Sequence, residues 1–126
     1  MFKLVESRTA WWPVTWNMAD EDGGTVSEAR FQAQFRIPDV DGVDALVKQA
    51  VALDEEGSET PLSERMAELL SSFIADWREI GDADGVVMPY TKEALGHLCR
   101  TPGIFFAIIG SLRNCVAGVA EVRAKN

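Results

Sequence analysis

The sequence predicts an α+β fold, in which an N-terminal antiparallel β-hairpin or small sheet packs on a C-terminal set of about four helices. Apolar and polar residues alternate along residues 12–18 and 29–37, as in strands with one buried face. After Pro38 the apolar residues recur at helical spacing instead. The 126 residues suit one domain, with residues 1–38 mainly in strands and residues 39–126 mainly in helices.

The two alternating runs predict the hairpin. Their apolar positions are Trp12, Val14, Trp16 and Met18 in the first run, and Ala29, Phe31, Ala33, Phe35 and Ile37 in the second. Residues 19–24 are polar, contain two glycines and predict the connecting turn. Pro13 favours an edge position or a strand start, because proline cannot donate a hydrogen bond to a neighbouring strand. Phe2 and Leu4 are predicted to add a third strand.

The first two predicted helices follow Pro38. Residues 39–53 place Val43, Leu46, Val47, Ala50 and Val51 on one face, and an acidic linker, residues 54–60, comes next. For the second helix we expect Thr60 at the N-cap and Pro61 at the first helical position. An apolar stripe then runs from Leu62 to Trp77, so Trp77 is predicted to be the last core residue of this helix.

The last two helices each have a predicted start signal. Thr91 can cap a short helix that carries Leu95, Leu98 and Cys99. Thr101 and Pro102 repeat the combination of cap and proline, and predict a final helix that extends through Val122.

Composition excludes several classes of protein. The formal net charge of -8 disfavours nucleic acid or an anionic membrane as partner, because phosphates attract basic surfaces. The start of the chain lacks the pattern of a signal peptide, and no apolar run reaches the roughly 20 residues of a membrane span. We therefore expect a cytoplasmic protein in which Cys99 and Cys115 are reduced and buried, with a disulfide as the less favoured alternative.

Catalytic, metal and cofactor sites are not indicated. His97 is the only histidine, no serine elbow accompanies it, and phosphate-binding glycine loops are absent. We expect His97 at the surface or at a boundary. The sequence Asp82–Gly85 suggests calcium at first, but a calcium loop that starts at Asp82 would need an oxygen ligand where Val86 stands. A solvated turn is the better interpretation.

Two features indicate binding instead. Trp11 and Trp12 are adjacent in a strand and must point to opposite faces, so Trp11 faces outward or contacts a partner if Trp12 is in the core. The last helix is apolar on almost all sides between Ile104 and Ile109. It is either the central core helix, or part of it is a binding surface, with Phe105 and Phe106 as the first candidates.

Three segments follow one another along the chain: EARFQAQFRIPD (Glu28 to Asp39), DWREIGDADGVVMPYTKEALGHLCRTPGIFFAIIGSL (Asp76 to Leu112), and the ending VRAKN. The second contains Trp77, Asp82, Asp84, Gly85, Pro89, Tyr90 and Thr91, and then Pro102 and Gly103 before the last helix. In this order the chain resembles the small tail assembly chaperones of long-tailed phages, whose turn often reads W-x-x-V-x-D-x-D-G-x-x-x-P-(Y/F)-(T/S). Ile80 stands where that family often has valine.

The shared turn is predicted to be a joint between two core helices. In it Gly85 allows the turn, Pro89 enforces an extended approach and Thr91 caps the next helix.

The resemblance implies a protein without enzymatic activity, made in the host cytoplasm and absent from the mature virion. Such chaperones bind the tape measure protein, keep it soluble and help to recruit tail tube subunits. In many of these phages a programmed frameshift near the end of the gene yields a longer form, and Ala124-Lys125-Asn126 is compatible with slippery codons. Self-association is a further use for the apolar surfaces. The alternative is a small structural or adaptor tail protein retained in the virion, and an enzyme comes third.

Overall fold

The computed structural model describes residues 1–4, 8–53 and 59–118. Its elements in chain order are β1 (Thr9–Ala19), β2 (Val26–Arg36), α1 (Val40–Ala52), α2 (Leu62–Ser71), β3 (Ile74–Arg78), α3 (Lys92–Leu98) and α4 (Ile104–Ala117). The strands form one antiparallel sheet in the order β1-β2-β3. The predicted α+β class and the predicted hairpin are therefore confirmed.

One face of the sheet forms the core with the helices. Val14 lies opposite Phe31 in the register of β1 and β2, and both side chains are buried. Helix α4 packs on β1 and contributes Ile104, Ile108 and Leu112 to the same core. Pro13 lies on β1, which is an edge strand, as its missing N–H predicts.

The third strand is β3, and the prediction of a strand at Phe2 and Leu4 was wrong. Residues 1–4 have no strand structure, and the side chains of Phe2 and Leu4 are exposed. The third strand of the sheet is instead Ile74–Arg78, which pairs with β2.

The second helix ends at Ser71, so the prediction that Trp77 closes it was also wrong. Trp77 lies on β3, yet it is in the core as expected. Phe35 pairs with Ile74 and Gln34 pairs with Asp76, so Ala75 is an extra residue in β3. This bulge turns Ile74 and Trp77, three residues apart, to the same buried face. Helical spacing and a bulged strand therefore give the same apolar pattern here.

Helix starts also differ from the prediction. Pro61, rather than Thr60, is the N-cap of α2, and the Thr60 carbonyl accepts a hydrogen bond from Arg65. Helix α4 begins after Gly103, whose φ of 86° is left-handed, so Thr101 and Pro102 belong to the preceding turn. Proline fixes φ but cannot supply the reversal that the chain needs at this point.

Parts of three predicted segments lie outside the described residues. Helix α4 ends at Ala117, with Gly118 in a left-handed conformation, and the predicted end at Val122 lies outside the described residues. Residues 54–58 of the predicted acidic linker and Ala124–Asn126 lie outside them too. Helix α1 is confirmed, with Leu46 and Ala50 buried on its inner face, but Val51, which was predicted on that face, is 66% exposed.

Candidate partner-binding surfaces

The turn that carries the resemblance links β3 to α3, and not two helices as predicted. Asp82 organises its tip, because the Oδ1 atom accepts hydrogen bonds from the N–H groups of Asp84 at 2.9 Å and Val86 at 3.0 Å. Gly85 has a φ of 80° and donates its N–H to the Asp82 carbonyl at 3.0 Å. The predicted backbone requirement at Gly85 is confirmed, since other residues rarely adopt this conformation.

The returning arm of the turn is fixed to β3 by two aromatic side chains. The Nε1–H of Trp77 donates to the Met88 carbonyl at 2.7 Å, and the Tyr90 hydroxyl donates to the Ile74 carbonyl at 3.1 Å. The rings of Trp77 and Tyr90 meet edge to face with centroids 5.0 Å apart. Loss of solvent around Tyr90 raises the pKa of its phenol. The two rings therefore serve to hold the turn against the sheet.

Thr91 caps the next helix as predicted. Its Oγ1 atom accepts a hydrogen bond from the Ala94 N–H at 2.9 Å, at the start of α3. Pro89 lies exposed in the segment that leads from the turn to this cap. The residues that carry the resemblance thus connect the sheet to α3 through the backbone and packing contacts described above.

The aspartates of the acidic turns accept hydrogen bonds from backbone N–H groups. Asp82 Oδ1 is occupied by the two N–H groups of the turn, and Asp39 Oδ1 accepts from the Gly42 N–H at 2.7 Å as the N-cap of α1. Within residues 1–4, 8–53 and 59–118 there is no group of three His, Cys, Asp or Glu side chains placed to hold a metal ion. His97 is exposed near the end of α3, as expected.

Both cysteines are free thiols in the core. Burial raises the pKa of Cys99 to about 12, and it also raises the pKa of Cys115, an effect that the nearby Arg8 charge partly opposes. A protonated, buried thiol is a poor nucleophile. The two side chains therefore act as apolar core residues.

Trp11 and Trp12 point to opposite faces of the sheet, as predicted. Trp12 packs against the core and Trp11 lies on the other face, partly exposed. The guanidinium of Arg78 stacks on the Trp11 ring at 4.2 Å, and two of its nitrogens donate to Gln32 Oε1. Trp11 therefore has a contact within the chain, and the stacked pair leaves part of its surface accessible.

Phe105 and Phe106 have different environments on α4. Phe105 is 2% exposed and belongs to the core, whereas Phe106 is 59% exposed. Their rings meet edge to face at 5.3 Å. Phe106 is the member of the pair that a partner can reach.

A groove of about 340 Å³ begins at Phe106, and we call it the Phe106 groove. It lies between α2 and the start of α4, and its apolar lining includes Leu62, Met66, Pro102 and Phe105. The structure thus brings Pro102 together with Phe105 and Phe106. Trp11 is not among the lining residues.

Some exposed features were not predicted. Val86 and Val87 are adjacent in the turn and are 62% and 76% exposed. A second groove, of about 680 Å³, lies between α2 and α3 and is lined mainly by charged residues, including Glu68 and Lys92, which form an ion pair. The valines were detectable only as apolar residues next to a glycine turn.

Two indole groups on the core face lack an acceptor among the described residues. They are the buried Nε1 atoms of Trp12 and Trp16. Trp16 packs edge to face on Phe31, with ring centroids 5.7 Å apart. Both indole rings thus contribute mainly apolar area to this face of the sheet.

No family model, curated protein or solved structure matches the chain. Among the described helices, none combines the length and the apolar character that a membrane crossing requires. Proposals on function therefore depend on the residues of this chain and on the resemblance of the turn between β3 and α3.

Proposed function

We propose that this protein is a tail assembly chaperone of a long-tailed phage, which binds the tape measure protein, keeps it soluble and helps to recruit tail tube subunits. The observation that carries the proposal is the segment from Trp77 to Thr91, which resembles the pattern of that family at every fixed position except Ile80. In it Trp77 and Tyr90 fix the returning arm to β3, Asp82 and Gly85 form the tip of the turn, and Thr91 caps α3. Because a fold does not by itself imply a function, the function is proposed from the resemblance of this segment and not from the fold.

The proposed binding surface is the Phe106 groove. A tape measure protein is long and presents apolar stripes along its helices, and these aggregate unless they are covered. An apolar groove with an exposed aromatic residue at its end suits the side chains of such a stripe. Binding through one small groove is weak, and weak contacts in many copies allow tube subunits to displace the chaperone.

The second proposed partner is the tail tube protein, contacted through a longer form of the chain made by frameshifting. Reading the gene tests this step. A lysine codon AAG at Lys125, or the lack of an overlapping open frame downstream, rules out this slip. If the codons permit it, mass spectrometry of infected cells should find peptides from both frames in one longer product.

The main test is co-expression with the tape measure protein of the same phage. We expect that protein to be soluble with this chain and insoluble without it. His97→Ala is the control for an enzymatic role, and it should leave both solubility and the yield of infectious tails unchanged. If a folded His97→Ala variant fails, or if the tape measure protein stays insoluble, the proposal is wrong.

Purified particles separate the proposal from the alternative of a structural or adaptor tail protein. A chaperone that is released during assembly should be absent from their mass spectra, and the protein should be found only in the host cytoplasm. Detection of stoichiometric amounts in washed particles would favour the adaptor instead.

A further inference from the structure

The outer edge of β1 carries unused backbone groups. At the two ends of this strand the Arg8 carbonyl accepts from the Ile37 N–H at 2.8 Å, and the Asp20 N–H donates to the Thr25 carbonyl at 2.9 Å. Bonded and non-bonded pairs alternate in an antiparallel ladder, so the even-numbered residues of β1 direct their backbone groups to β2. The odd-numbered residues of Thr9–Ala19 direct theirs away from the sheet.

The edge at β3 is closed by side chains. There the outward N–H of Trp77 donates to Asp76 Oδ1 at 2.8 Å, and the turn packs beside the strand through Tyr90. At β1, by contrast, no hydrogen bond within the described ranges uses the outward backbone groups of Trp11, Thr15 or Asn17. Side chains therefore occupy backbone groups at the β3 edge of the sheet, whereas the outward backbone groups of β1 can pair with a further strand.

Strand β1 also lacks most of the features that usually keep an edge strand from pairing with another chain. Residues 9–19 contain no charged side chain, whereas β2 carries Glu28, Arg30 and Arg36. Pro13 lies at an outward position and removes one donor there. Open positions remain on both sides of it, and the side chains of Thr15 and Asn17 are exposed.

We propose that the outer edge of β1 binds an extended, basic segment of another protein as a fourth strand of the sheet. Only an extended segment can pair with a row of alternating N–H and C=O groups, so the occupant is a strand and not a helix. The formal net charge of -8 favours a basic segment over an acidic one. None of the odd-numbered β1 residues lines the Phe106 groove, so this interaction goes beyond the proposed tail assembly function.

A second copy of this chain is the poorer occupant. If β1 paired with itself about a two-fold axis, the Pro13 residues of both copies would fall in one ladder, and each would remove a hydrogen bond. Both copies would also carry a formal charge of -8, which opposes their association. A basic segment from another protein loses only one bond to Pro13.

The test uses the full chain labelled with nitrogen-15, and a blocked synthetic peptide with the sequence of residues 26–36 as the probe. This peptide forms a strand beside β1 in the fold and contains two arginines and one glutamate. On adding it we expect amide exchange of Trp11, Thr15 and Asn17 to slow by on the order of tenfold or more, with the even-numbered amides unchanged. Absence of this protection overturns the proposal.

Two altered peptides test strand pairing and charge separately. A peptide with Ala29→Pro and Gln32→Pro carries a proline on each of its two edges, so it cannot form a continuous ladder and should give no protection. A peptide with Arg30→Glu and Arg36→Glu should bind more weakly, by on the order of tenfold at low salt. Equal binding of the proline peptide excludes strand addition, and equal binding of the acidic peptide excludes a basic occupant.

Two matched variants of the protein complete the test. Thr15 is exposed, so Thr15→Lys and Thr15→Glu should both fold. We expect Thr15→Lys to weaken binding of the basic peptide and Thr15→Glu to keep or strengthen it. If the free protein instead shows protection of Trp11 and Asn17 that rises with its own concentration, the occupant is a second copy and the proposal is wrong.

Discussion

The Nε1–H of Trp77 donates a hydrogen bond of 2.7 Å to the backbone carbonyl of Met88, eleven residues further along the chain. This bond joins β3 to the segment that returns from the turn. The indole ring is 5% exposed, so it also fills the core between the sheet and the turn. The Trp77 side chain thus buries apolar area. Among the described residues it is also the only side chain that donates a hydrogen bond to the Met88 carbonyl.

Trp77→Ala should remove both contributions. We expect the free energy of unfolding to fall by about 3–5 kcal/mol, because a large buried ring is lost. Trp77→Phe keeps a ring but loses the donor to Met88, and should cost about 1–3 kcal/mol. Urea unfolding followed by circular dichroism measures both. A loss below about 1 kcal/mol for Trp77→Ala would contradict its burial.

Gly85→Val should destabilise the protein through the backbone alone. A Cβ atom at Gly85 would have no atom within 4 Å, but the φ of 80° is unfavourable for a branched residue. The expected cost is about 1–2 kcal/mol. Gly96→Ala is the matched control, because Gly96 lies in α3 with equally free space and no positive φ. It should stabilise by about 0.5–1 kcal/mol, and the same sign for both variants would contradict this account.

Phe105→Asp and Phe106→Asp should separate folding from binding. The first places a charge in the core and should prevent stable folding. The second changes an exposed side chain and loses its ring contact with Phe105, so it should lower the free energy of unfolding by about 0.5–1.5 kcal/mol and leave the protein folded. In co-expression we expect Phe106→Asp to send the tape measure protein to the insoluble fraction although the variant itself is folded.

Trp11→Glu is a second surface variant for the same assay. Trp11 lies on the opposite face of the sheet from the core, and a glutamate there can pair with Arg78, so the fold should persist. Co-expression shows whether this face contributes to binding as well. If the tape measure protein stays soluble with both Phe106→Asp and Trp11→Glu, neither surface binds it.

Stability should fall at alkaline pH because of Cys99. The folded state raises the pKa of this thiol from 9.0 to about 12, so it favours the protonated form. The stabilisation is therefore complete below pH 9 and is lost as the pH rises toward about 12. The free energy of unfolding should decline in this range by at most about 1.4 kcal/mol per pH unit from this group.

Cys99→Ala tests the assignment. This variant should show a shallower decline between pH 9 and pH 11 than the original protein, whatever it loses at pH 7. Cys115 and Tyr90, whose pKa values are also raised, contribute to the slope that remains. An unchanged slope would exclude Cys99 as a source of the pH dependence.

Local chemistry explains why several features could be predicted from the sequence. Apolar and polar residues alternate around Val14 and around Phe31, and this pattern predicts a sheet with one buried face. The prediction depends only on the two-residue period of a strand. The cap at Thr91 and the turn at Gly85 depend on hydrogen bonds and dihedral angles within a few residues. These predictions needed no knowledge of distant parts of the chain.

Tertiary contacts decided the rest. Ile74 and Trp77 are spaced as on a helix, and only the pairing of their backbone with β2, together with the bulge at Ala75, makes the segment a strand. In the same way Phe105 and Phe106 are equivalent in the sequence, and the position of α4 on the sheet buries one and exposes the other. A local pattern gives the period of the apolar residues, but the partner that completes a backbone ladder or covers a ring comes from elsewhere in the chain.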